Sequence, residues 1–285
     1  MDLRPRPCYA RAAVWPYFSA LAKEIPHASE TCRFCTTPIP QPAVPVLSGL
    51  ALMVLLAAGG ILGPPAEAQP PCHVPGDYAT IQAAIDESTC ATINLAAGTY
   101  EEDITISRDV TIGGAGEDQT VIDGGDNGRV VTINGNPVVT IKNITIQHGH
   151  STNDGGGILN FGNLTIQNST LSDNEADGRG GGILNVGELT IQNSTLSDNE
   201  AFEGGGIGNA GSLFIRNSTI TDNEAFGDFG GGGIYNLRGS LFLRNSTVTD
   251  NTANVGNDIT NEGSLTLRNV TFNECVDFSF GTGCP

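Results

Sequence analysis

Along the second half of the chain, apolar residues recur two positions apart: Leu164 and Ile166, Leu189 and Ile191, Leu213 and Ile215, Leu241 and Leu243, Leu265 and Leu267. Each pair follows a lone isoleucine (Ile158, Ile183, Ile207, Ile234, Ile259) and precedes another apolar residue (Leu171, Leu196, Ile220, Val248, Phe272). Alternation with period two marks strands that bury one face, and no window carries a competing helical stripe. The pattern sits inside a repeat. GGGILNFGNLTIQNSTLSDNE begins at Gly155 and returns, progressively altered, from Gly180, Gly204, Gly231 and Gly256. One copy alone buries almost nothing, whereas stacked copies bury a continuous column.

At about 3.3 Å per strand residue, a repeat of this length predicts three short strands and three bends, one rung of a parallel β-helix whose rungs lie about 4.8 Å apart. The expected fold is therefore all-β, a single right-handed parallel β-helix solenoid with a packed aliphatic core. Equivalent asparagines then stack. Asn143, Asn168, Asn193, Asn217, Asn245 and Asn269 form one ladder, the Asn160 and Asn174 positions two more. Asparagine tolerates the left-handed backbone of a sharp bend, and the glycine triplets permit close turning. Unmarked rungs precede the repeats, around residues 104–122 and 130–146, giving about seven rungs in all. Residues 78–86 carry Ile81, Ala84 and Ile85 on one helical face and predict a short helix capping the first rung.

Composition narrows the setting. A net charge of −18 argues against nucleic acid as a partner and against docking on anionic membranes. Residues 1–44 lack the repeat and read as an atypical leader, disordered or preceding the true start; their Cys32-x-x-Cys35 is a single pair without a second zinc half-site. Residues 45–68 hold the uncharged run 46–62 followed by Ala66-Glu67-Ala68, a signal peptide with cleavage after Ala68 or, uncleaved, an N-terminal anchor. Either places residues 69–285, the β-helix, outside the cytoplasm, secreted or at the cell surface. Pairings Cys72–Cys90, stapling the cap, and Cys275–Cys284, stapling the far end, suit that oxidising compartment.

The runs YATIQAAIDES, TINLAAGTYEEDITI and VTIGGAGEDQTVIDGG resemble the opening of pectin-lyase-like β-helix proteins, and the GGGI copies with FIRN (214–217) and FLRN (242–245) resemble the GGAI and FxxN motifs of polymorphic outer-membrane-protein passengers. The likeness spans roughly residues 72–274. It implies a right-handed β-helix, export, and either surface adhesion or chemistry on polysaccharide.

Candidate chemistry lies in the columns. Asp173, Asp198, Asp222 and Asp250 share one position and could hold calcium through clustered oxygens, although splayed, hydrated side chains would serve equally. The acids repeat with the period, as a structural ladder does; an active site breaks the period, and only Gln147-His148-Gly149-His150 with Asn153 and Asp154 does so. No catalytic residue and no other cofactor is assigned. Thr170, Thr195, Thr219 and Thr247 present a flat hydroxyl row, a ligand face or, as a minor alternative, an ice-binding array; Arg216, Arg244 and Arg268 stack beside it. The expectation is a monomeric, non-catalytic structural or adhesive module that binds a polysaccharide, protein or other cell-surface ligand. The alternative is a lyase, hydrolase or esterase acting on acidic polysaccharide.

Overall fold

A computed structural model of the chain describes residues 69–279 and Cys284. The expectations for residues 1–44, the Cys32–Cys35 pair and the apolar run 46–62 lie outside the described residues. The described part is a parallel β-solenoid of about eight turns, one more than the seven counted from sequence. The early turns, which use strands Cys72–Val74 and Thr92–Leu95, carry no glycine mark and blur into the cap.

A marked turn contains four strands rather than three: Ile158–Asn160, Asn163–Gln167, Thr170–Ser172 and Glu175–Arg179. The fourth arises because the chain re-extends after the left-handed bend at Asp173 (φ 55°), and Glu175 and Ala176 then pair in register with Glu200 and Ala201. Every pairing between turns is parallel, Ile158 over Val131 and Ile183, Leu164 over Val139 and Leu189, Leu171 over Ile146 and Leu196. Sheets of first strands and of fourth strands run separately, while the second and third strands share one sheet, joined through the unbroken strand Ser240–Thr249.

The columns named by period are the core. Ile158, Ile166, Leu171, Ile183, Ile191, Leu196, Ile207, Ile215 and Ile220 are fully buried. Between them run two internal amide ladders. Asn160 donates through Nδ2 to Asn185 Oδ1 at 2.8 Å, and the relay continues through Asn209 and Asn236 to Asn261. A second relay runs Asn174, Asn199, Asn223, Asn251 at 2.8–2.9 Å and ends on Asp258 Oδ1. Each amide also satisfies backbone groups: Asn199 donates to Leu171 O and Ser197 O and accepts from Asn174 N. Buried amides persist because both ends are paired.

The third ladder differs. Asn143, Asn168, Asn193, Asn217, Asn245 and Asn269 all have φ between 48° and 57° and line the outside of the bend, their amides linked at 3.1–3.4 Å. The glycines of the triplet divide their roles. Gly180 supplies a positive φ of 72°, while Gly181 lies where a Cβ would come within 2.3 Å of Glu200 O.

The cap is the helix Ile81–Asp86, with Ile81, Ala84 and Ile85 buried. Thr80 accepts from Ala83 N, and the Glu102 carboxylate accepts from Ile81 N and Gln82 N at the positive end of the helix. Arg108 holds the other end, donating to the carbonyls of Ala84, Ile85, Glu87 and Cys90. Cys72–Cys90 and Cys275–Cys284 are both disulfide-bonded. Among the described residues no helix is long and apolar enough to cross a membrane.

Candidate functional site

Strands of one turn present every other side chain outward, so each sheet face is a set of parallel columns. On the second-strand face, Thr165, Thr190, Phe214, Phe242 and Thr266 form a column in register, and two residues on, Gln167, Gln192, Arg216, Arg244 and Arg268 form the next. Stacking places the Phe214 and Phe242 rings parallel, centroids 4.9 Å apart with 8° between planes. Arg268 lies over Phe242, 5.7 Å from its centroid, and Arg216 donates to Gln192 Oε1. Where the column steps from Thr190 up to Phe214, a shallow recess of about 290 Å³ opens, bordered by Asn163, Glu188, Thr190, Ser212, Phe214 and Phe242.

The threonines Thr170, Thr195, Thr219 and Thr247 do form an aligned row, half-buried and facing outward on the third-strand face. They are separated from the arginine column by the bend at the exposed asparagines. Asp173, Asp198, Asp222 and Asp250 occupy the next bend, each with φ between 55° and 61°, one carboxylate per turn. Among the described residues no three His, Cys, Asp or Glu side chains converge where a metal ion could sit.

His148 takes the same left-handed position, φ 52°, one turn before Asp173. Its Nδ1 meets Asp123 Oδ2 at 3.0 Å, and that oxygen also accepts from Gln147 Nε2, while Asp123 Oδ1 accepts from Gly125 N. The Asp123 hydrogen bond, with the nearby charges of Asp123, Asp126 and Asp173, raises the imidazole above its ordinary pKa against a smaller effect of burial. Burial would raise Asp123, but its bonds to Gln147, Gly125 and His148 together hold it below the usual carboxylate range. His150 is not part of that pair; it lies on the fourth-strand face with Nδ1 3.1 Å from Glu175 Oε2. The period-breaking segment is thus two separate His–acid contacts on different faces. Asn153 and Asp154 serve the backbone: Asp154 Oδ1 accepts from Arg179 N, and Asp154 O accepts from Arg129.

Two features were not predicted from sequence, the first being the pair of phenylalanines beside a glutamate column that the period does give. On the fourth-strand face, Glu175, Glu200 and Glu224 form one column, and Phe202 and Phe226 lie two residues beyond Glu200 and Glu224. The two rings meet edge to face at 5.7 Å, yet Phe202 is 43% and Phe226 46% exposed. Burial and the flanking Glu175 and Glu224 raise the Glu200 carboxyl. The signal was present as EAF at 200–202 and 224–226, but these residues lie past the conserved-length part of the repeat, where loop lengths change. The second is the pairing of Arg179 with Glu203 at 3.1 Å beside Gly208, whose missing side chain leaves room for the Arg179 stem.

Compared by sequence and by structure with known proteins, the chain matches no protein-family model, no characterised protein and no solved structure.

Proposed function

We propose that the protein is an exported structural or adhesive module whose second-strand face binds a glycan or protein surface without catalysing a reaction on it. The observation that carries this reading is the Phe214–Phe242 stack flanked by the Arg216, Arg244, Arg268 column and by the recess at Thr190. Aromatic and arginine side chains on a rigid, flat scaffold are the groups that contribute most per residue to binding, because little conformational freedom is lost on contact. Two disulfides fit an oxidising compartment, as does the resemblance of the GGGI and FxxN repeats to surface-displayed passengers. The test is a binding panel of neutral and acidic glycans and of cell-surface proteins. Phe214→Ala is expected to weaken binding of any hit by about tenfold, equivalent to roughly 1.4 kcal/mol. Binding indifferent to Phe214 and Arg244 would refute the reading.

The enzyme reading draws on one observation, the aperiodic His148–Asp123 pair. It predicts polysaccharide turnover in the same panel, abolished by His148→Ala and untouched by Phe214→Ala.

A further inference from the structure

The two aromatic faces of the solenoid are mirror counterparts in composition. Along the chain, the second-strand face reads Phe then Arg two residues later, in Phe214–Arg216 and again in Phe242–Arg244. The fourth-strand face reads Glu then Phe, in Glu200–Phe202 and again in Glu224–Phe226. Both spacings are set by the same strand geometry, about 7 Å within a strand and about 4.8 Å between turns. Phe202 and Phe226 are exposed, Phe214 and Phe242 are half-buried, and the arginines and glutamates beside them are exposed.

Two such solenoids laid side by side with parallel axes wind in the same sense, so their touching surfaces run in opposite chain directions, like the rims of two wheels turning the same way. Phe-then-Arg on one copy then meets Phe-then-Glu on the other. Phenylalanine opposes phenylalanine and arginine opposes glutamate across the contact. Antiparallel axes would instead set phenylalanine against glutamate. One axial offset satisfies everything at once. Shifting the neighbour by a single turn brings Phe214 to Phe202, Phe242 to Phe226, Arg216 to Glu200 and Arg244 to Glu224. No offset other than this one aligns both aromatic pairs.

We infer that the partner of the Phe214–Phe242 face is a second copy of this chain, docked through its Phe202–Phe226 face with parallel axes and a one-turn stagger. This rests on the reading of that face as a binding surface and replaces the expectation of a monomer. The two faces differ, so the contact is heterologous and repeats: each copy has one of each face free for the next, giving an open, staggered lateral array rather than a closed dimer. Glu200 lies between Glu175 and Glu224, and the contact places Arg216 against Glu200 and Arg244 against Glu224. The overall charge of −18 opposes association at long range, so the contact needs enough salt to screen it, with a screening length of about 8 Å at 0.15 M.

Charge reversal with rescue tests the contact. The full chain is compared by analytical ultracentrifugation at about 0.15 M salt, from micromolar to millimolar concentration, with the double variants Arg216→Glu/Arg244→Glu and Glu200→Arg/Glu224→Arg, each checked for an unchanged circular-dichroism spectrum. Wild type is expected to show mass rising with concentration, each double variant to associate at least about tenfold more weakly, and their equimolar mixture to regain association. The mixture separates the proposed contact from any defect of the single variants, because only the proposed pairing restores opposite charges. A wild type that stays monomeric, association that survives both reversals, as one made through residues 46–62 would, or a mixture that does not associate overturns the inference. A monomeric wild type that still binds a foreign ligand through Phe214 removes the second copy and leaves the proposed function standing.

Discussion

At the scale of single residues, position around the turn decides what an asparagine contributes. Asn199 is buried, and its amide is bonded at both ends and to two carbonyls. Removing it strands Asn174 N, Leu171 O and the neighbouring amides, each orphan costing about 1–3 kcal/mol. Asn199→Ala is therefore expected to lower stability by roughly 3 kcal/mol or more in urea denaturation. Asn193, exposed with φ 50°, supplies mostly its tolerance of the left-handed backbone. Asn193→Gly should cost little, whereas Asn193→Val should cost about 1–2 kcal/mol through Cβ strain. All three asparagine ladders were legible by period, with both the bend and amide stacking as their roles, but not which ladder does which. Periodicity alone does not reveal which columns face inward, because inward and outward asparagines repeat alike; the distinction emerges only when the bends are placed. The His148–Asp123 pair adds a dependence on pH. Its raised imidazole pKa means that the pair's stabilisation is fully present below the unfolded value near 6.5 and is lost as pH rises through the folded value. Melting temperature should therefore fall on moving from pH 6 to pH 8, and His148→Gln should flatten that slope; an unchanged slope in the variant would assign it elsewhere.

Elements are held together by groups that a repeat search passes over. The glycine triplet was legible as a turn signal, yet its middle member matters for proximity rather than for dihedral freedom. A Cβ on Gly181 would meet the carbonyls of Glu200 and Gly205 at 2.3 and 2.6 Å, so the strands above and below would have to separate. Gly181→Ala is expected to cost about 1–3 kcal/mol or more, while Gly135→Asn, in open space with φ 80°, should be nearly neutral by the same denaturation measurement. The cap was legible as a helix with Ile81, Ala84 and Ile85 inward and Cys72–Cys90 as its staple, but the clamp made by Arg108 was not. Arg108 lies 18 to 24 residues from the carbonyls it binds and carries no motif. Because a cation shared among four carbonyls supplies the donors that the end of a helix lacks, Arg108→Met should release the cap before the solenoid unfolds. Hydrogen exchange should show the amides of residues 81–86 losing protection while those of residues 158–220 keep theirs. Equal loss throughout would mean that cap and column form one cooperative unit.

For the whole molecule, the consequence of stacking is that length is divisible in turns and in nothing smaller. Every ladder, aliphatic, amide and hydroxyl, continues from one turn to the next through identical or near-identical partners, Ile158 to Ile183 to Ile207 and Asn160 to Asn185 to Asn209. Removing residues 180–203, a full turn, would join Arg179 to Gly204 and set Ile158 against Ile207, Leu164 against Leu213 and Asn174 against Asn223, the same kinds of contact as before. What disappears is one set of nearest-neighbour interfaces and the Arg179–Glu203 pair. Since the stability of a solenoid is close to a sum over such neighbours, the shortened chain is expected to fold with the same circular-dichroism shape, a column shorter by about 4.8 Å in small-angle scattering, and a modestly lower denaturation midpoint. Removing residues 180–191 instead takes out about half a turn. It would bring Thr195, Ala201 and Glu203 to the positions where Ile183, Leu189 and Ile191 now pack, so the aliphatic columns no longer continue through the turns that follow. That variant should fail to fold, and if it folded as well as the full-turn deletion, the ladders would not be what holds the column together.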